Sequence, residues 1–189
     1  MGSKRLLIVL ICCLVVALLI GFLILRSEKM SASTPVLAEG SLAPDFTLNS
    51  TEGEITLSKL KGKTVVLYFY PKADTPGCTK EACAFRDLKG EMTELGAVIL
   101  GVSKDKMPAI EKFLDKYSLN FPLLSDPDLK VHQAYGAWAP KTMFGKTAFG
   151  VIRTTYVIDA EGVIRKVWRR VKVNGHDAQV LEVVKKLAK

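Results

Sequence analysis

Histidine is nearly absent from this 189-residue chain, where His132 and His176 are the only two. Neither stands in a ligand spacing with the cysteines, so no metal centre is expected and no cofactor is called for. Cysteine is also scarce. Of four, Cys12 and Cys13 lie inside an uncharged N-terminal run and read as apolar filler. Only Cys78 and Cys83 remain, five residues apart, and no C-x-x-C pair occurs, which weighs against a dithiol redox motif. Gly136, Gly145 and Gly150 do not make a phosphate loop. Gly2 lacks the Ser or Thr that a myristoylation site needs at position 6. There is no internal repeat. Arg165, Lys166, Arg169, Arg170 and Lys172 form a basic run, but no zinc-finger spacing, RNP-like string or basic helix accompanies it. Nucleic acid is therefore not expected as a partner, and the run reads as a solvated strand edge facing lipid headgroups.

The longest feature is the string "LLIVLICCLVVALLIGFLIL" at residues 6–25, 20 residues without a charge. As a helix it would cross about 30 Å of hydrocarbon. A cleavable signal peptide has a shorter apolar core of about 7–15 residues. Here Arg26, Glu28 and Lys29 follow directly, and the small-residue string "VLA" at 36–38 is distant. The expectation is an N-terminal tail (1–5), one transmembrane anchor (6–25), a Ser-, Ala- and Thr-containing tether (26–39) and a globular domain (40–189). The flanks Lys4, Arg5, Arg26 and Lys29 against Glu28 supply part of the formal net charge of +8. A short tail before the span and a large domain after it resemble an uncleaved signal anchor. That predicts a single-pass membrane protein with its domain outside the cytoplasm, on the periplasmic side.

Within the domain, "TVVLYFY" at 64–70 and "AVILGVS" at 97–103 are continuous apolar runs, the mark of strands buried on both faces. Helical patterns follow each, over 78–88 and over 108–117, the second with Pro108 at its start. "TTYVID" and "VIRKVWRR", joined by "AEG", read as a hairpin. Val180, Leu181, Val184 and Leu187 share one face of a final helix, with Asp177 as its expected N-cap. Trp138, Met143 and Phe144 are expected to line or cover the core. This order predicts an α/β domain with a mixed central sheet and helices on both faces.

Thr75, Pro76 and Gly77 stop the first buried strand and can turn the chain into a helix whose first turn includes Cys78. Unpaired N–H groups there favour an anion, so a thiolate at that place is stabilised as a nucleophile. The plainer alternative, a buried inert cysteine, would be favoured for an isolated Cys. The surrounding string decides between them. Pro71, Thr75 and Cys78 stand as Pro-x-x-x-Thr-x-x-Cys within "YFYPKADTPGCTKEAC", with "APDFTL" upstream and "MFGKTAFGVIRTTYVID" downstream. Over residues 40–189 the sequence resembles the peroxiredoxins of the bacterioferritin-comigratory, or Q-type, subfamily.

That resemblance implies a thioredoxin-like fold and thiol-dependent reduction of hydroperoxides. It implies Cys78 as the peroxidatic nucleophile, Thr75 as the hydroxyl that orients the peroxide, and Pro71 as a shield against water. Arg153 would hold the thiolate and stabilise the departing oxygen; taken alone it reads as a surface arginine at a strand start. Cys83 would be the resolving thiol, giving an intramolecular disulfide that a thioredoxin-like protein reduces, in a chain expected to be monomeric. On one intact helix the two cysteines would sit about 7.5 Å apart along the axis with side chains diverging by about 140°. A disulfide rarely spans more than about 7 Å between Cα atoms, so the helix between them has to unwind first. Two other functions compete: a membrane-tethered thiol-disulfide oxidoreductase, and a non-catalytic module that senses peroxide through Cys78.

Overall fold

The computed structural model describes residues 37–143 and 146–188. Strands β1 (Thr47–Ser50) and β2 (Gly53–Thr56) form a hairpin, and a 3-10 turn over Leu57–Leu60 leads into β3 (Thr64–Phe69). Helix α1 (Pro76–Glu94) leads on to β4 (Ala97–Ser103), and α2 (Met107–Lys116) to β5 (Leu123–Ser125). A short α3 (Lys130–Ala134) precedes a separate antiparallel ribbon, β6 (Trp138–Met143) with β7 (Lys146–Val151). The hairpin β8 (Thr154–Ile158) and β9 (Ile164–Arg169) and helix α4 (His176–Leu187) complete the domain.

Seven strands make one sheet in the order β2-β1-β5-β4-β3-β8-β9. The central pairs β3–β4 and β4–β5 are parallel, and the outer pairs are antiparallel. This is the thioredoxin-like α/β architecture, a mixed sheet flanked by helices. Alternation along β3 explains why the run around it is apolar throughout. Val66 and Tyr68 enter one core with Phe85 of α1, Phe113 of α2 and Val180 of α4. Val65, Leu67 and Phe69 enter the opposite core with Val131 and Tyr135 of α3 and its loop. Tyr68 lies beside Gly101 of the neighbouring strand, where a Cβ would stand 2.7 Å from both Cζ and Oη of the phenol. Only glycine leaves room for that ring.

Several expectations change in detail. α1 begins two residues before Cys78 and runs to Glu94, because Pro76 supplies a pre-set first helical residue and Met92 buries a further turn. The N-cap of α4 is Gly175, not Asp177: the chain reverses through Gly175 at φ 73°, and Asp177 falls in the first turn. β1, β2, β5 and the ribbon went unread, being short or half polar. Trp138 belongs to the ribbon, stacked on the exposed Phe149 and not in the main core. The side chains of Met143 and Phe144 lie outside the described residues. The basic run does begin on the edge strand β9, where Arg165 pairs with Asp159 and Lys166 with Glu39.

The anchor expected at 6–25 lies outside the described residues, as does nearly all of the tether. Among the described residues no helix is long and apolar enough to cross a membrane. α1, at 19 residues, carries seven charged residues between Lys80 and Glu94 and is not membrane-spanning.

Candidate active site

Cys78 is the third residue of α1 and is buried, with 1% of its surface exposed. The loop from β3 to α1, residues 70–75, carries Pro71 and Thr75 and leads into this helix. Two anchors fix this loop. The Ala73 N–H donates to Asp105 Oδ2 (2.7 Å), which also accepts from the Ser103 hydroxyl (2.8 Å). Asp74, in the left-handed region at φ 57°, accepts from Lys116 Nζ (2.8 and 2.9 Å) and from the Tyr117 hydroxyl (2.6 Å). The Lys116 ammonium and the Tyr117 hydroxyl hold the Asp74 carboxyl below its usual range. Thr75 is the N-cap residue of α1, but its hydroxyl donates back to the Lys72 carbonyl (3.0 Å) and does not cap the helix. The first-turn N–H groups beside Cys78 therefore have no side-chain cap competing for them.

Arg153 lies between β7 and β8 and reaches across to the start of α1. Its Nη2 donates to Cys78 Sγ at 3.3 Å. A Cβ placed on Gly77 would come within 3.4 Å of the same nitrogen, so the guanidinium lies over the first helical turn. Its Nη1 is ion-paired with Glu81 Oε2. Glu81 is 2% exposed, and its Oε1 has no hydrogen-bond partner. Burial pushes the Glu81 carboxyl up to about 7, with the Arg153 charge and hydrogen bond opposing the shift. Burial also works against the Arg153 charge, but Glu81 and Cys78 outweigh it and the guanidinium is held more firmly protonated than usual. The Tyr68 phenol is pushed up, first by burial and then by Tyr70, Glu81 and Cys78.

Arg153 is thus brought to Cys78 from a strand start, while Pro71 and Thr75 lie in the loop that leads into the same helix. Cys83 stands apart, half-buried on the same intact helix, and both cysteines are free thiols. Sequence reasoning missed Glu81. Its signal was the helical spacing, since Glu81 falls on the stripe of Cys78, Ala82 and Phe85 that enters the core.

The model of the AhpC/TSA family matches residues 40–167. The chain belongs to the AhpC/TSA family. Within it, the chain is 47% identical over 150 residues to peroxiredoxin Bcp of Bacillus subtilis, covering 79% of this chain and 96% of that protein. It is 42% identical over 153 residues to peroxiredoxin Bcp of Escherichia coli, covering 80% and 98%. A solved structure of the Xanthomonas campestris bacterioferritin comigratory protein, described for its alkyl peroxide reduction activity, superposes with a TM-score of 0.73 at 39% identity, covering 76% and 92%. The chain is accordingly a peroxiredoxin of Bcp type, a thiol-dependent peroxidase and so an oxidoreductase.

The same relatives correct the placement at a membrane. Their matched segments make up almost all of their own length and leave too few residues for a span, so the apolar run at 6–25 has no counterpart in them. These relatives therefore overturn the expected single-pass, periplasmic-side placement, and lipid with it as a partner.

Proposed function

We propose that this peroxidase reduces hydrogen peroxide and organic hydroperoxides at Cys78, resolves the product with Cys83, and is recycled by a thioredoxin-type dithiol protein. The observation that carries the reading is the 3.3 Å donation from Arg153 Nη2 to Cys78 Sγ at the uncapped start of α1. The guanidinium, at the positive end of a helix, supplies a counter-charge for the nucleophilic sulfur. In the first step that thiolate attacks one peroxide oxygen. The S–O bond forms as the O–O bond breaks, and the departing alkoxide or hydroxide takes a proton to leave as alcohol or water. Arg153 can follow the charge from sulfur to the leaving oxygen without moving far. The Thr75 hydroxyl, bound to the Lys72 carbonyl without substrate, exchanges that partner for a peroxide oxygen and orients it. Pro71 shields the sulfur from water.

In the second step the Cys83 thiolate attacks the sulfur of the Cys78 sulfenic acid, an S–S bond replaces the S–O bond, and hydroxide leaves as water. Because the cysteines are five residues apart on an intact helix, about 7.5 Å along the axis, part of α1 unwinds before this bond can form. The dithiol donor then reduces the disulfide by exchange. A thiol-disulfide oxidoreductase reading is less well supported, since the thiols lack the C-x-x-C spacing.

The test is peroxide consumption by the chain supplied with thioredoxin, its reductase and a nicotinamide reductant. Parent protein is expected to turn over and Cys78→Ser to show no activity above background. Turnover retained by Cys78→Ser would remove Cys78 from the mechanism. Stoichiometric oxidation without turnover would favour the sensing module.

A further inference from the structure

Cys78 and Cys83 lie on a stretch of chain whose two ends are fastened to a single residue elsewhere in the fold. At the near end Asp74, immediately before the N-cap of α1, accepts a 2.6 Å hydrogen bond from the Tyr117 hydroxyl. At the far end Arg86, three residues beyond Cys83, donates from Nη1 to the Tyr117 carbonyl at 2.7 Å. The Arg86 carbonyl lies 3.4 Å from the Asn120 amide, a second link on that side. Tyr117 is itself fixed at the end of α2. Its N–H donates to the Phe113 carbonyl, and its ring meets the buried Phe113 ring edge-on at 5.4 Å. Lys116, the residue before it, completes the hold on Asp74.

These contacts lie outside the reacting centre. Asp74 is exposed and the Arg86 side chain is 31% exposed, so neither link is demanded by the core. Both act on the segment that has to change shape. If α1 unwound freely from its N-terminus, the opened stretch could run toward the next buried anchor, Met92, and Cys83 would search a large volume. Arg86 halts the opening one residue after Phe85, whose buried ring packs on Tyr68 from the inner side of the helix. Asp74 keeps the other end in register with the Cys78 loop.

We propose that Tyr117 is a positioning residue that staples both ends of the redox segment, through Asp74 and Arg86, and so confines unwinding to residues 75–85. The inference rests on the Cys78–Cys83 resolution step described above. The two thiols are always five residues apart, but the volume that an opened segment searches grows as about the 3/2 power of its free length, so a short segment with both ends held brings them together more often than a long one. The staple therefore sets how often the Cys78 sulfenic acid meets Cys83 before it meets a second peroxide. In that competing reaction the sulfenate attacks another hydroperoxide, gains a second oxygen as sulfinic acid, and releases an alcohol or water.

The experiment uses the full chain as parent, Arg86→Met, Arg86→Lys and Tyr117→Phe. Each is mixed with increasing hydrogen peroxide, and mass spectrometry reads the ratio of intramolecular disulfide to sulfinic acid. Arg86→Met, which lengthens the free stretch from 75–85 to 75–91, is expected to reach half-maximal sulfinic acid at peroxide concentrations about twofold lower than the parent, and Tyr117→Phe, in which Lys116 still holds Asp74, to shift the same way by less. Arg86→Lys should recover part of the loss, and the rate of the first peroxide step should be unchanged in both Arg86 variants. A general loss of structure would slow that first step too, so the unchanged rate separates a staple from damage. If Arg86→Met does not fold, Arg86→Gln, too short to reach the Tyr117 carbonyl, carries the test. Parent-like ratios in the folded variants would overturn the staple while leaving the disulfide mechanism intact. A parent that forms no Cys78–Cys83 disulfide would overturn the resolution step and the staple with it.

Discussion

Glu81→Gln isolates the least favourable group at the centre of the site, a carboxyl that is 2% exposed with one oxygen unpartnered. Burial raises its pKa from the ordinary 4.5 to about 7 even though Arg153 opposes the shift. The folded protein thus holds this proton more tightly than the unfolded chain does. The stability it contributes is fully present below pH 4.5 and is lost as pH rises through 7. A rise of that size corresponds to roughly 3 kcal/mol well above neutrality, of which about 2 kcal/mol falls between pH 5 and pH 8. His176 tilts stability the other way: burial lowers it to about 4, so its contribution is present above pH 6.5 and is lost as pH falls toward 4. Because His176 is common to parent and variant, it cancels in their difference. Urea denaturation of the reduced proteins at pH 5 and pH 8 measures that difference. The variant should gain on the parent by about 2 kcal/mol from the lower pH to the higher. A gap that stays constant would show that the Glu81 proton is no tighter in the fold than out of it. A gap that closes would mean that Arg153 holds Glu81 ionised against its burial, and the argument would be refuted.

Arg153→Ala and Thr75→Val should each slow the first peroxide step by about 10² to 10³, the usual cost of one oriented donor, while circular dichroism stays parental. Stopped-flow oxidation at the parent rate would free Arg153 of the assigned role. One equivalent of peroxide should yield a monomeric Cys78–Cys83 disulfide, with loss of helical circular dichroism and faster amide exchange over residues 79–88. Cys83→Ser should consume one equivalent and then lose most thioredoxin-driven turnover. An oxidised form with the helix fully retained, or a disulfide between chains, would contradict the unwinding step. Gly101→Ala places a methyl 2.7 Å from the Tyr68 ring and 2.8 Å from Leu123 Cδ2, and overpacking of this kind costs about 1–3 kcal/mol. An unchanged Tm would show that the ring can move aside.

How much could be read from the residues alone depended on the range of the interaction. Periodicity is local, so the two strands buried on both faces, the β8–β9 hairpin and the apolar face of α4 were all visible in the sequence. The helix start at Cys78 was visible because a Thr-Pro-Gly string both ends a strand and starts a helix, while the role of the cysteine rested on the family resemblance. Arg153 was not readable from its own surroundings. It lies 75 residues from Cys78 in sequence, and only the family resemblance pointed to it before the 3.3 Å contact was seen. The ties from Asp74 to Lys116 and Tyr117, 42 and 43 residues away, have no local signature, because acid, lysine and tyrosine at these positions read as ordinary surface. Glu81 is the instructive case. A glutamate in a helix is normally solvent-facing, and "TKEAC" gives no hint otherwise until the 78–82–85 stripe is drawn through it. Its burial makes sense only beside Arg153, which has to enter the same core to reach the sulfur. A buried guanidinium brought in to reach a sulfur needs a hydrogen-bonding partner to remain favourable there, and the helix that carries the cysteine supplies the Glu81 carboxyl one turn later.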